Sequence, residues 1–206
     1  MYPVPASSID PNRPMKDMSE RMAGGGRTDL RPLTPAEVNT VRLYTNRNSG
    51  YGDINGYLRT GQDNDLPKPQ STEESVKLLD SALRYCPPVS RGDYTVSLYR
   101  SFLGASAGDL DKLKVGDVIK DPAYVSTSIS REAVEKWGAK DPTAQVVKIA
   151  DPRSGVTGLY IPKVLGSTAT FPEEKEMLLP RNLLFIYGGK DSTGTPTFTA
   201  ALDTRR

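Results

Sequence analysis

The hydrophobic period of this 206-residue chain changes once, at Pro87-Pro88, and that change limits the folds open to it. Before the prolines, apolar residues recur at helical spacing. Val76, Leu79, Leu83 and Cys86 fall on one face. After them the period is two, the mark of strands. Helices first and strands afterwards, with no internal repeat, make an α+β chain rather than an alternating α/β one.

Helix starts are written in the residues. Thr34-Pro35-Ala36-Glu37 and Ser71-Thr72-Glu73-Glu74 are capping boxes, the first with proline at the opening helical position. Between them a second helix fits residues 51–59, where Ile54, Tyr57 and Leu58 share a face. Pro87-Pro88 ends the third. Strands are expected over residues 95–100, 115–119, 124–128, 144–149, 158–161, 175–180, 183–187 and 197–202. One short helix, 131–140 behind a Ser130 cap, interrupts them and turns Ala133, Val134 and Trp137 inward.

Residues 1–33 are expected to form a tail. Prolines at 3, 5, 11 and 14 and glycines at 24–26 leave no sustained apolar period. The domain division is therefore a disordered tail over 1–33, a candidate secretion signal, and a folded unit over 34–206.

Composition removes several function classes. Twenty-seven basic against 25 acidic side chains leave +2, too even a balance for a protein that lives on nucleic-acid phosphates. No apolar run reaches the roughly 18 residues of a membrane span. Met1-Tyr2-Pro3-Val4-Pro5 lacks the charged start and apolar centre of a cleavable signal. One cysteine, Cys86, excludes an internal disulfide and a cysteine-cluster metal site. The chain has no histidine at all, so Ser-His-Asp, Cys-His and His-Glu-x-x-His chemistries are closed to it. Any catalysis runs on carboxylates, hydroxyls, lysine, arginine, tyrosine or a borrowed cofactor, and no metal is expected.

Three segments on or beside expected strands carry such groups: Leu98-Tyr99-Arg100, Ser126-Thr127-Ser128, and Phe171-Pro172-Glu173-Glu174-Lys175-Glu176. Glu174 and Glu176 are two apart, so a strand entered at Glu174 would point both carboxylates to one face. Paired carboxylates suit glycosyl chemistry, where negative charge steadies an oxocarbenium-like centre.

In this order the segments resemble the arginine/Ser-Thr-Ser/Glu-x-Glu class of mono-ADP-ribosyltransferase toxins and effectors. Tyr44-Thr45, the run Tyr51-Gly52-Asp53-Ile54-Asn55-Gly56-Tyr57-Leu58-Arg59, and Glu176-Met177-Leu178-Leu179-Pro180-Arg181 are similar to further segments of that family. The likeness covers about residues 33–206. It implies a helical N-terminal half packed on a mixed two-sheet β core, and NAD as co-substrate.

The resemblance also implies roles. Arg100 would grip the NAD phosphates with a permanently charged fork. Ser126 would hydrogen-bond toward the catalytic glutamate, Glu176, which holds a ribose hydroxyl and stabilises the cation as nicotinamide departs. Glu174 would orient the acceptor guanidinium and take its proton. Phe171 would recognise the target from a mobile turn over 166–173. Trp137 matches an aromatic beside the nicotinamide, with core packing the competing reading. Asn55 and Arg59 match NAD-site positions, against capping or helix-surface roles. Ser101 stands where the family usually has glycine, and its backbone would bind the nicotinamide amide.

The expected partner is a host or target protein with an accessible arginine, together with a secretion chaperone, and neither nucleic acid nor membrane. Delivery into a host cytoplasm and an internally expressed phage-type enzyme both suit the tail. An NAD glycohydrolase on the same fold and a catalytically silent binding module are the competing functions.

Overall fold

The computed structural model describes residues 31–46, 50–63, 70–86, 97–102, 109–150 and 156–203. Most of the expected tail, the Pro87-Pro88 stop and the first residues of the strand expected from Thr95 lie outside the described residues.

Three helices form one layer. Helix α1, Pro35–Tyr44, carries the full capping box: Thr34 Oγ1 accepts from the Glu37 amide, and Glu37 accepts from the Thr34 amide at 2.7 Å. Glu37 is buried and is also gripped by both Arg31 amino groups, at 2.8 and 2.6 Å, which holds its carboxyl down at about 2. Arg31 lies over the Tyr85 ring, so this guanidinium ties the residues before α1 to the helical layer. Helix α2, Gly50–Thr60, begins against the end of α1. A Cβ on Gly50 would lie 1.7 Å from the Leu43 carbonyl oxygen, so only glycine permits that approach. Helix α3, Thr72–Arg84, is capped by Ser71. Val41, Tyr44, Ile54, Leu79 and Leu83 from these helices pack with Tyr124, just ahead of a strand, and the strand residue Leu178 in one core cluster.

All eight expected strands form. They are β1 Leu98–Phe102, β2 Val118–Asp121, β3 Val125–Ser128, β4 Gln145–Ile149, β5 Leu159–Tyr160, β6 Glu176–Leu179, β7 Leu183–Lys190 and β8 Pro196–Leu202. Helix α4, Arg131–Gly138, follows β3, and a short helix α5, Ile161–Leu165, which no period announced, follows β5.

The expectation of two sheets is corrected here. The strands hydrogen-bond as one mixed sheet in the order β2-β7-β8-β4-β1-β3-β6-β5, with β4 and β8 parallel. The two-layered look has a physical cause. Strands β6 and β7 stand five places apart in that order, which would be about 24 Å in a flat sheet. Yet Leu179 of β6 and Leu183 of β7 share a core cluster with Val125, Ile149 and Ala200. The sheet therefore curls until its far strands pack on one another, and its outer face receives the helices. Cys86, a free cysteine, sits buried in the helical cluster with its Sγ on the Ala82 carbonyl oxygen.

Candidate active site

Strands β3 and β6 pair antiparallel, with Ser126 opposite Leu178 and Ser128 opposite Glu176. Alternation sends Val125, Met177 and Leu179 into the curled interior and leaves Ser126 and Glu176 together on the helical side. Ser126 Oγ donates to Glu176 Oε1 at 2.6 Å. Glu176 is only 8% exposed. Burial pushes its carboxyl up to about 7; the Ser126 hydrogen bond opposes the rise and the Glu174 charge adds to it. The neighbouring hydroxyls brace the frame: Thr127 Oγ1 donates to the Met177 carbonyl at 2.6 Å, and Ser128 Oγ to the Glu174 carbonyl at 2.7 Å.

Glu174 arrives differently from the strand-pleat expectation. Strand β6 begins at Glu176, and Pro172–Glu174 is a single 3-10 turn. Lys175 between them is left-handed, at φ 47° and ψ 44°. That one residue turns the chain, so the turn and not the pleat brings the second carboxylate to the site. The segment 166–173, expected to be a mobile turn, contains 3-10 turns at Gly166–Thr168 and from Pro172, and Arg42 of α1 hydrogen-bonds Thr168 Oγ1 at 3.3 Å.

Ser126, Trp137, Phe171, Glu174 and Glu176 line one cavity of about 230 Å³. Tyr44, Thr45 and Tyr51 close its helical side. These three are lining residues that strand and carboxylate reasoning missed, although Tyr44-Thr45 and Tyr51 stand inside the family-like helical segments. The Tyr44 phenol is held far above its ordinary range, first by burial and then by the Glu176 charge. Trp137, at the end of α4, contributes to the cavity wall.

Arg100 does not share that cavity. On β1 it pairs with Val147 and projects with it to the inner side of the curl. Together with Arg59, Phe102 and Asp121 it lines a second cavity of about 260 Å³. The two cavities share no lining residue. One hydrogen bond links their walls: the Ser126 carbonyl accepts from Arg100 Nη1 at 3.2 Å. Burial lowers the guanidinium's affinity for its proton, and the Asp121 charge counters this. Each cavity, at about 230 and 260 Å³, is a little smaller than the roughly 300–1,000 Å³ of common ligand sites.

Asn55 and Ser101 line neither cavity. The Asn55 amide is fully engaged beneath the site. Its Nδ2 donates to the Tyr44 hydroxyl at 3.0 Å and the Tyr124 carbonyl at 3.1 Å, and its Oδ1 accepts from the Tyr124 amide. Ser101 Oγ is buried without a hydrogen-bond partner, facing α4. There α4 runs so close that a Cβ on Gly138 would meet Ser101 Oγ at 3.0 Å.

Among the described residues, no cluster of acidic or cysteine side chains could hold a metal, and no helix is long and apolar enough to cross a membrane. No curated protein matches the chain in sequence. Solved structures resemble it in fold. Exoenzyme S from Pseudomonas aeruginosa, solved in complex with human 14-3-3 protein beta and bound to carba-NAD, aligns at TM-score 0.57 and 20% identity, over 81% of this chain and 73% of that one. The Vis toxin, an ADP-ribosyltransferase from Vibrio splendidus, aligns at 0.62 and 19% identity, over 98% and 90%. An ADP-ribosyltransferase from Clostridium botulinum aligns at 0.64 and 19% identity, over 97% and 99%. The family model of the ADP-ribosyltransferase exoenzymes matches residues 15–195. With that match spanning most of the sequence, the chain belongs to the ADP-ribosyltransferase exoenzyme family.

Proposed function

We propose that this chain is an NAD-dependent mono-ADP-ribosyltransferase that modifies arginine side chains of a target protein, with residues 34–206 as the catalytic unit and the preceding segment serving delivery. The observation that carries the reading is the pair of carboxylates, Glu174 and Glu176, lining one cavity with Ser126 fixed on Glu176. Exoenzyme S with carba-NAD and Vis with agmatine, a small guanidine, supply the ligand chemistry in proteins of the same fold.

In this reading Glu176, as the carboxylate, holds a ribose hydroxyl and offsets positive charge growing at the sugar while the bond to nicotinamide breaks. Nicotinamide leaves with the bonding electron pair. A guanidinium is no nucleophile while protonated. Glu174 orients it and accepts the proton released as its nitrogen bonds to the sugar carbon. Arg100 and Arg59, which line the second cavity, hold the phosphates. Asn55 acts from beneath, by fixing Tyr44 and the start of β3. The acceptor is a protein with an accessible arginine, met in a host cytoplasm.

Two variants test the division of labour, with nicotinamide release and ADP-ribose transfer to agmatine measured side by side. Glu176→Gln is expected to lose both activities by at least about a hundredfold, the scale of removing a transition-state contact. Glu174→Gln is expected to lose transfer while keeping most of the NAD hydrolysis. Equal loss of both in Glu174→Gln removes the acceptor-arginine role. A wild-type protein that frees ADP-ribose but labels no arginine is a glycohydrolase, and one with no turnover is a binding module.

A further inference from the structure

The second cavity is basic in an otherwise apolar wall. Arg59, Arg100 and Lys120 enter it beside Phe102, Val147 and Phe198, and Asp121 is the one carboxylate lining it among the described residues. Lys120 already has an acidic partner, with its Nζ 2.8 Å from Asp203. Arg59 Nη2 stands 3.1 Å and 3.3 Å from the two carboxylate oxygens of Asp121. The aspartate does not depend on that contact for its position. Its Oδ1 also accepts from the Ala123 amide at 3.0 Å, in the tight turn that joins β2 to β3. Arg59, on a long side chain that is 43% exposed, is the partner free to swing. A carboxylate oxygen pair and a phosphate oxygen pair present the same two-acceptor edge to a guanidinium.

We propose that Asp121 is a built-in counter-anion that occupies, on Arg59, the place one phosphate of the dinucleotide takes, so that binding exchanges one anion for another on the same guanidinium. The inference rests on NAD being the co-substrate. It makes Asp121 a determinant of affinity: its fixed negative charge competes for Arg59 in the free protein and repels the diphosphate as it enters. Low-dielectric walls strengthen both effects relative to open water.

Asp121→Asn tests this, because the amide oxygen can still accept from Ala123 while the charge is gone. Trp137, the single tryptophan of the chain, lines the cavity that holds Glu174 and Glu176 and reports NAD binding by fluorescence; calorimetry reports inorganic pyrophosphate. Dissociation constants for both ligands are expected to fall roughly three- to tenfold in Asp121→Asn at low salt. In an Arg59→Ala background the same change is expected to give little further tightening, the signature of a coupled pair. Unchanged or weaker pyrophosphate binding in Asp121→Asn, or equal tightening in both backgrounds, overturns the counter-anion. Should the wild-type protein release no nicotinamide while pyrophosphate still tightens in Asp121→Asn, the proposed activity fails and the counter-anion stands.

Discussion

Glu176 works against its surroundings. The site needs it as a carboxylate, whereas burial favours the acid and places its ionisation at about 7. Two measurements follow from that sign. In the free protein, kcat/KM is expected to fall about tenfold per pH unit once the pH drops below about 7, since the protonated form cannot offset positive charge. A flat profile between pH 5 and 8 would remove Glu176 from the essential step. Stability runs the opposite way. The folded-state value lies above the ordinary 4.5, so the native state holds its proton longer than the unfolded chain does. Stability is therefore lost as pH rises from about 4.5 through 7, on the order of 3 kcal/mol once complete. Glu176→Gln, which keeps the acceptor for Ser126, is expected to raise Tm at pH 8 and to leave it nearly unchanged at pH 4.5. A lower Tm at pH 8 would show that the charged form is stabilised by its neighbours.

At the scale of elements, the turn at Lys175 decides whether there are two carboxylates in one cavity or one. A non-glycine residue in the left-handed region costs roughly 1–2 kcal/mol. Lys175→Gly should relieve this and keep both activities, while Lys175→Val, branched at Cβ, should lower Tm and reduce transfer more than NAD hydrolysis, because Glu174 is the group displaced. Chemical denaturation with paired activity assays checks both.

This turn also marks where the sequence stopped being readable. Strand alternation located all eight strands, and the Thr34 capping box and the Ser71 cap placed α1 and α3, because period and caps are local properties. The meeting of Glu174 with Glu176 was readable as well, though for the wrong reason. Nothing in Glu-Lys-Glu declares that lysine will adopt positive φ; the turn is braced by a partner distant in sequence, Ser128, which donates to the Glu174 carbonyl. The placement of Arg100 was hidden for a related reason. A strand pattern says which residues share a face, but the curl of the sheet decides what that face encloses. Asn55, which matched an NAD-site position with capping as the competing reading, hydrogen-bonds Tyr44 and Tyr124, partners 11 and 69 residues away that no local pattern names.

For the molecule as a whole, those Asn55 bonds join the helical layer to the sheet. Tyr124 is held at four points. Asn55 takes both its main-chain groups, and its one hydroxyl proton is shared between the Val76 carbonyl and Asp80. Asp80 in turn is clamped by Arg181, which follows β6. Asn55→Ala would leave a buried amide and carbonyl of Tyr124 without partners, and is expected to cost about 2–4 kcal/mol in urea unfolding. The transition should stay single, since helices and sheet share one core; a split transition would show two independent units.

The buried Cys86 has its own consequence. Burial pushes its thiol up to about 12, which suppresses the thiolate that oxidants and disulfides attack. While the chain stays folded, this thiol is withheld from oxidants, so the helical cluster around it keeps the same covalent form in oxidising and in reducing surroundings.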